Sequence, residues 1–308
     1  MKKRAFFYSA VFGTLACGIV LQFSSIDLTV FAQKSGGETP LITRTAISEK
    51  VVTPAGENLS AFSRAAVENT RLRDTLNWEF GGKVQNGWNL YSALIAHTIG
   101  TESEPSSPEY ARSLANWQKN TSLDATGIVD KPTMEAFVKY WQSQRLGRSI
   151  QPSEDRLYSA PITEFYDATR SPDLLKLEQE TYAAYKRMIA AASKDLGKEL
   201  KFTANGELAP DEKFLRIISA YRSPEYQAQL RKREPNAGRA ALAKNSPHFT
   251  GQALDIYVGG EPVTTKDVNR AIQVQTPAYK WLVKNAHKFG FYPYFYEPWH
   301  WEYVPSKK

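Results

Sequence analysis

Ser246-Pro247-His248-Phe249-Thr250-Gly251-Gln252-Ala253-Leu254-Asp255, followed further on by Glu297-Pro298-Trp299-His300-Trp301, decides how this chain is read. Two histidines and an aspartate are the nitrogen and oxygen donors that a catalytic zinc ion takes from a protein, with one position left for water. Glu297, three residues before His300, is the natural base to activate that water. The chain has four histidines, His97, His248, His287 and His300, and two of them fall in this constellation. His97 and His287 read as structural residues, and His287 sits late in a helical stretch, where the macrodipole suits it. The pattern implies a zinc hydrolase.

Side chains alternate between the faces of a strand. In Ala253-Leu-Asp255-Ile-Tyr-Val258 this puts Leu254, Ile256 and Val258 toward a core, and Ala253 and Asp255 toward a cleft. Pro298 cannot donate a ladder hydrogen bond, so the last strand is expected to start at Trp299, with His300 and Glu302 on one face. Upstream, Phe214-Leu-Arg-Ile217-Ile218-Ser219 reads as a short strand that ends at Tyr221-Arg222, and Ser223-Pro224 opens a helix. Arg222 therefore lies at a strand-to-helix junction, where functional side chains are commonly presented. Thr276-Pro277 starts a last helix that stops at Gly290. Strands and helices interleave without a βαβ rhythm, which predicts an α+β fold with an antiparallel sheet.

These residues resemble the VanY-type D-alanyl-D-alanine carboxypeptidases, zinc peptidases that share the hedgehog/D-Ala-D-Ala peptidase fold. The family pattern, Ser-x-His-x-x-Gly-x-Ala-x-Asp and then Glu-x-Trp-His, is matched at every fixed position, and Ser219-Ala-Tyr-Arg222-Ser-Pro-Glu-Tyr-Gln227 looks like the family's arginine segment. The resemblance implies zinc held by His248, Asp255 and His300, with Glu297 as base. It implies that Arg222 faces the oxyanion or the terminal carboxylate of the substrate. Ser246 and Gln227 are candidates for holding substrate, or equally loop and helix-cap residues. Glu302 lies outside the fixed positions and reads as a carboxylate behind the ligands or at the surface. The implied reaction is removal of the terminal D-alanine from peptidoglycan stem peptides in cell-wall remodelling. L,D-carboxypeptidase or endopeptidase cleavage with the same zinc site, and a non-catalytic wall-binding protein, are the alternatives. A signalling role has only shared fold behind it, which does not imply function.

The catalytic part is expected over 171–308, its first helix starting at Ser171-Pro172-Asp173 and carrying Leu174, Leu177, Tyr182, Tyr185, Met188, Ile189 and Leu196. Ahead of it lies a connector, 146–170. Residues 79–145 read as a small helical domain, with Ser107-Pro108 as one helix start and Met134, Phe137, Val138 and Trp141 as the stripe of another. The run from Leu114 through Trp117-Gln118, Leu123 and Thr126-Gly127-Ile-Val-Asp130 to Thr133 resembles the second half of a helical peptidoglycan-binding domain, although that family usually has Phe where Trp117 stands. This likeness implies attachment to the wall glycan. Residues 33–78 read as a linker.

Lys2, Lys3 and Arg4 precede a nearly uncharged apolar run, Ala5 to Phe23, and Val30-Phe-Ala32 offers a cleavage site. Residues 1–32 are thus expected to be a signal peptide or membrane anchor, which places the protein in the periplasm or cell envelope. Cys17 is the sole cysteine in the 308-residue chain, so no disulfide framework exists and thiolate plays no part in the zinc site. A hydrophobic fraction of 42% supports a packed core. The net charge is +7, and losing three basic residues and Asp27 with the leader leaves +5. That balance suits an anionic wall polymer. Without a dense Lys/Arg block or a recognition motif, nucleic acid is not an expected partner.

Overall fold

The computed structural model describes residues 60–147, 150–233 and 246–305. The leader over 1–32, Cys17 and the start of the linker lie outside the described residues. Among the described residues no helix is long and apolar enough to cross a membrane.

The described part opens with helix α1, Ala61–Thr75, capped by Ser60, whose hydroxyl accepts from the Ser63 amide at 3.2 Å. The stretch expected to be linker therefore contains a 15-residue helix. Its apolar side is only Ala65, Ala66 and Leu72, diluted by Arg64, Glu68, Arg71, Arg73 and Asp74, so periodicity marks it weakly. A hairpin follows, β1 (Asn77–Phe80) and β2 (Lys83–Asn86). Gly81 and Gly82 both take positive φ, as a two-residue hairpin turn requires.

Helices α2 (Ser92–Ile99), α3 (Pro108–Asn120) and α4 (Lys131–Ser143) complete this layer. Helix α3 starts at the Ser107 cap read from sequence, and Asp130 caps α4 by accepting from the Thr133 amide at 2.9 Å. Gln118, Gly127 and Thr133 form one buried network: Gln118 accepts from the Gly127 amide at 2.8 Å and donates to Thr133 Oγ1 at 2.9 Å. Asn69 of α1 closes the same loop, donating to Gly127 O and accepting from the Val129 amide, each at 2.8 Å.

The connector holds strand β3 (Leu157–Ser159), which pairs antiparallel with β4 (Lys176–Glu178). This pairing overrides the helix start expected at Ser171. Ser171-Pro172 opens only a 3-10 turn, 172–174, and helix α5 begins at Gln179 and runs to Asp195, capped by the Glu178 carboxylate. Tyr185, Met188 and Ile189 are on its buried face, as read.

The C-terminal half is built on a four-stranded antiparallel sheet in the order β5 (Ile217–Ser219), β6 (Ala253–Ile256), β8 (His300–Tyr303), β7 (Phe291–Pro293). Helices α6 (Pro224–Arg233), α7 (Asp267–Gln273) and α8 (Pro277–Asn285) connect or flank these strands. Leu254, Ile256 and Val258 are fully buried. Strand β8 starts one residue later than Pro298 alone implied, because the His300 amide bonds back to Glu297 O at 2.9 Å and keeps Trp299 in the turn. The result is a mixed α+β structure with small antiparallel sheets.

The helical layer packs against this half through aromatic rings. Phe295, in the β7–β8 loop, meets Phe80 at 4.6 Å, Tyr91 at 5.5 Å and Trp141 at 5.6 Å between ring centroids. Arg270 of α7 donates to the Tyr91 hydroxyl at 3.1 Å, and Lys284 of α8 pairs with Glu102 at 2.7 Å. Truncating a buried phenylalanine costs about 3–5 kcal/mol. Phe295→Ala should lower stability by that order in chemical denaturation, and an unchanged midpoint would contradict the packing of the two layers through this ring.

Candidate metal centre

The sheet register assembles the site. Asp255 on β6 lies directly opposite His300 on β8 and, on its other side, opposite Ser219 on β5. Opposed residues of an antiparallel pair hold their Cβ atoms about 4.5–5.5 Å apart, so the ladder brings two candidate ligands together from distant sequence. His248 arrives on a 3-10 turn, Pro247–Thr250. Gly251 ends that turn at φ +69°, and a Cβ there would stand 2.8 Å from the Glu178 backbone nitrogen. Glycine is required both for the left-handed backbone and for the close approach to β4.

His248, Asp255 and His300 are buried, and one donor atom of each lies within 4.8 Å of the others. His248 Nε2 is 3.3 Å and His300 Nδ1 is 2.9 Å from the same oxygen, Asp255 Oδ1. Ligands on a tetrahedral zinc ion with bonds of ~2.0–2.1 Å stand about 3.3 Å apart. The three donors are spaced to hold one metal ion.

The outward nitrogens are also partnered. His248 Nδ1 is 2.7 Å from Ala220 O, and His300 Nε2 is 3.2 Å from Glu302 Oε1. A carbonyl and a carboxylate accept only from N–H, so each imidazole presents its other nitrogen to the cluster. Metal-binding histidines show this arrangement, which fixes tautomer and ring orientation.

Charge follows the same geometry. Burial pushes the His248 pKa down, helped by the Arg222 guanidinium, to about 4. Burial also opposes charge on Asp255, but His248, Arg222 and His300 outweigh it and hold the carboxyl well below its ordinary range. For His300, burial is overcome by hydrogen bonds to Asp255 and Glu302, which raise it to about 9, so a metal ion taken up there displaces the proton from the nitrogen that faces Asp255. Glu297 is buried, and desolvation raises its pKa to about 7, with His300 lowering and Asp255 raising it further. Its Oε1 accepts no hydrogen bond from the described residues. A buried carboxylate oxygen without a donor, close to a cluster of candidate metal ligands, fits a group that handles protons beside a metal.

Arg222 is where the strand-to-helix junction was read, and it is turned toward the ligands. Its Nη2 donates to Asp255 Oδ2 at 2.6 Å and its Nε to Ser219 Oγ at 2.9 Å. Ser246 is buried and acts as a cap, its hydroxyl accepting from the His248 amide at 3.3 Å. Gln227 is fully buried in the first turns of α6. His97 and His287 stand apart from the cluster and pair with each other, ring centroids 5.1 Å apart. Glu302 is fully buried, which excludes the surface position left open for it. The shared strand face of His300 and Glu302 was the signal for its role. Ala220, whose carbonyl orients His248, carried none, because a backbone contact leaves no residue-type signature.

Removing either imidazole leaves too few donors to hold a metal. His248→Ala and His300→Ala should each lose most bound divalent metal in elemental analysis of the purified protein, and full metal content in both would contradict this ligand set.

No curated protein matches the chain. Residues 174–306 match the family described as VanY, D-alanyl-D-alanine carboxypeptidase. That stretch takes in β4 and the whole site-bearing sheet, with all three donors, Glu297 and Arg222. Residues 174–306 thus form a domain of the VanY, D-alanyl-D-alanine carboxypeptidase, type.

Proposed function

We propose that the protein is a zinc-dependent carboxypeptidase that removes the terminal D-alanine from D-Ala-D-Ala stem peptides of peptidoglycan during cell-wall remodelling. The observation that carries this reading is the buried His248–Asp255–His300 donor set beside the unpartnered Glu297 oxygen. Family membership of residues 174–306 supplies the substrate class. The hedgehog/D-Ala-D-Ala peptidase fold is part of the proposal, supported by the antiparallel sheet that carries the ligands.

Zinc, when bound by these three residues, supplies Lewis-acid chemistry and lowers the pKa of its water to about 7. Glu297 is placed to take a proton from the attacking water and return it to the leaving amine. Its raised pKa suits both roles near neutrality, because it is neither a fixed anion nor a fixed acid there. Arg222 holds Asp255 in the orientation that faces both histidines. By the family resemblance it also faces the oxyanion or the substrate carboxylate. Ser246 sets the turn that carries His248, and Gln227 is buried in the helix that follows Arg222.

Residues 79–145 of the helical layer are assigned to wall contact, on the likeness of their Leu114–Thr133 stretch to a peptidoglycan-binding domain. Export rests on the basic start and the apolar run after it, and a positive net charge suits an anionic envelope.

Defined stem peptides incubated with the protein and read by mass spectrometry test the activity. Loss of one alanine from a D-Ala-D-Ala terminus, abolished by a chelator, is expected. An internal cut would make the enzyme an endopeptidase, and no cut would favour a wall-binding protein. Glu297→Gln keeps shape and hydrogen bonding but cannot accept the proton. It should retain near-normal zinc with turnover reduced at least about 10²-fold. Zinc loss would make Glu297 a ligand, and near wild-type turnover would place the base elsewhere.

A further inference from the structure

Arg145 follows the C-terminal end of α4, in the helical layer and far outside the family match, yet it reaches the back of the metal centre. Its Nε donates to Glu302 Oε1 at 3.0 Å, and its Nη2 also contacts that oxygen. The next backbone amide, of Leu146, donates to Glu302 Oε2 at 2.8 Å. Glu302 Oε1 is also the oxygen that faces His300 Nε2. Arg145 is itself held in place. Its Nη1 donates to Gln142 Oε1 at 2.7 Å, and its guanidinium lies 4.1 Å over the ring of Tyr294. Tyr294 in turn belongs to the loop that carries Phe295 and Glu297, and its amide bonds to His300 O at 3.0 Å.

Glu302 is fully buried, so its charge needs partners. Three donors supply them: a fork from Arg145, a backbone amide from Leu146 and the imidazole of His300. Two of these come from the helical layer. We propose that Arg145 is a positioning residue for the metal centre: it clamps Glu302, and Glu302 fixes the ring orientation and protonated nitrogen of His300. The helical layer is thus part of the catalytic apparatus, and wall attachment is not its sole role. This rests on the reading of His300 as a metal ligand.

Outer partners of metal-binding histidines typically contribute about 10–100-fold in metal affinity. Zinc affinity of the full-length protein, measured by competition with a chromogenic chelator, gives a readout independent of turnover. Arg145→Met should weaken zinc binding by about that factor while circular dichroism stays that of the wild type. Arg145→Lys keeps the charge but not the fork and should fall between. Glu302→Gln should also weaken binding, and adding Arg145→Met to it should weaken it little more, because the two act in series. Lys284→Met removes the exposed Lys284–Glu102 pair across the same contact of layers and should leave affinity unchanged.

Wild-type affinity in Arg145→Met, additive losses in the double variant, or an equal loss in Lys284→Met would each overturn the clamp. Should Arg145→Met not fold, Arg145→Lys and Glu302→Gln carry the same comparison. A wild-type protein that takes up no zinc would overturn the metal site and the clamp together. Tight wild-type binding with unaffected variants would overturn the clamp alone.

Discussion

The buried carboxylate of Asp255 is the constraint around which the C-terminal half is arranged. A charge taken out of water costs several kcal/mol unless the surroundings replace the lost solvation. Here one oxygen receives the Arg222 guanidinium, and the other faces both His248 and His300. Strand order and register follow from that need. Asp255 sits on β6 between β5, which leads to Arg222 and the Ala220 carbonyl, and β8, which carries His300. The ladder itself brings in His300, while Arg222 comes on the segment after β5 and His248 on the 3-10 turn that leads into β6.

Much of this centre was legible in the sequence. Metal ligands have few chemical options, so two histidines and an aspartate at family spacing name themselves. Strand alternation placed Asp255 opposite the core residues Leu254 and Ile256, and cap signals at Ser107 and Thr276 marked helix starts. Other features depended on long-range pairing. The helix expected at Ser171 begins only at Gln179, because β4 finds a partner in β3 across the connector. Helix α1 escaped notice because it buries mainly alanines, with Asn69 making its key contact to the Gly127–Val129 backbone. Arg145 was invisible for the same reason: nothing in an isolated arginine tells which carboxylate it will meet.

The two layers are mechanically joined at the loop that bears Glu297. Phe295 is inserted among Phe80, Tyr91 and Trp141, and two residues later the chain presents the candidate base. Packing of this density transmits displacement, since close-packed interiors deform little. The helical layer therefore grips the loop that bears Glu297.

The proposed function requires one zinc ion among His248, Asp255 and His300. Anomalous diffraction at the zinc edge, from crystals of protein purified without added chelator, tests it most directly. A single strong peak is expected, bonded to His248 Nε2, an Asp255 oxygen and His300 Nδ1, at distances of about 2.0–2.2 Å. A peak ligated through His300 Nε2, a peak elsewhere in the fold, or none at all would contradict it.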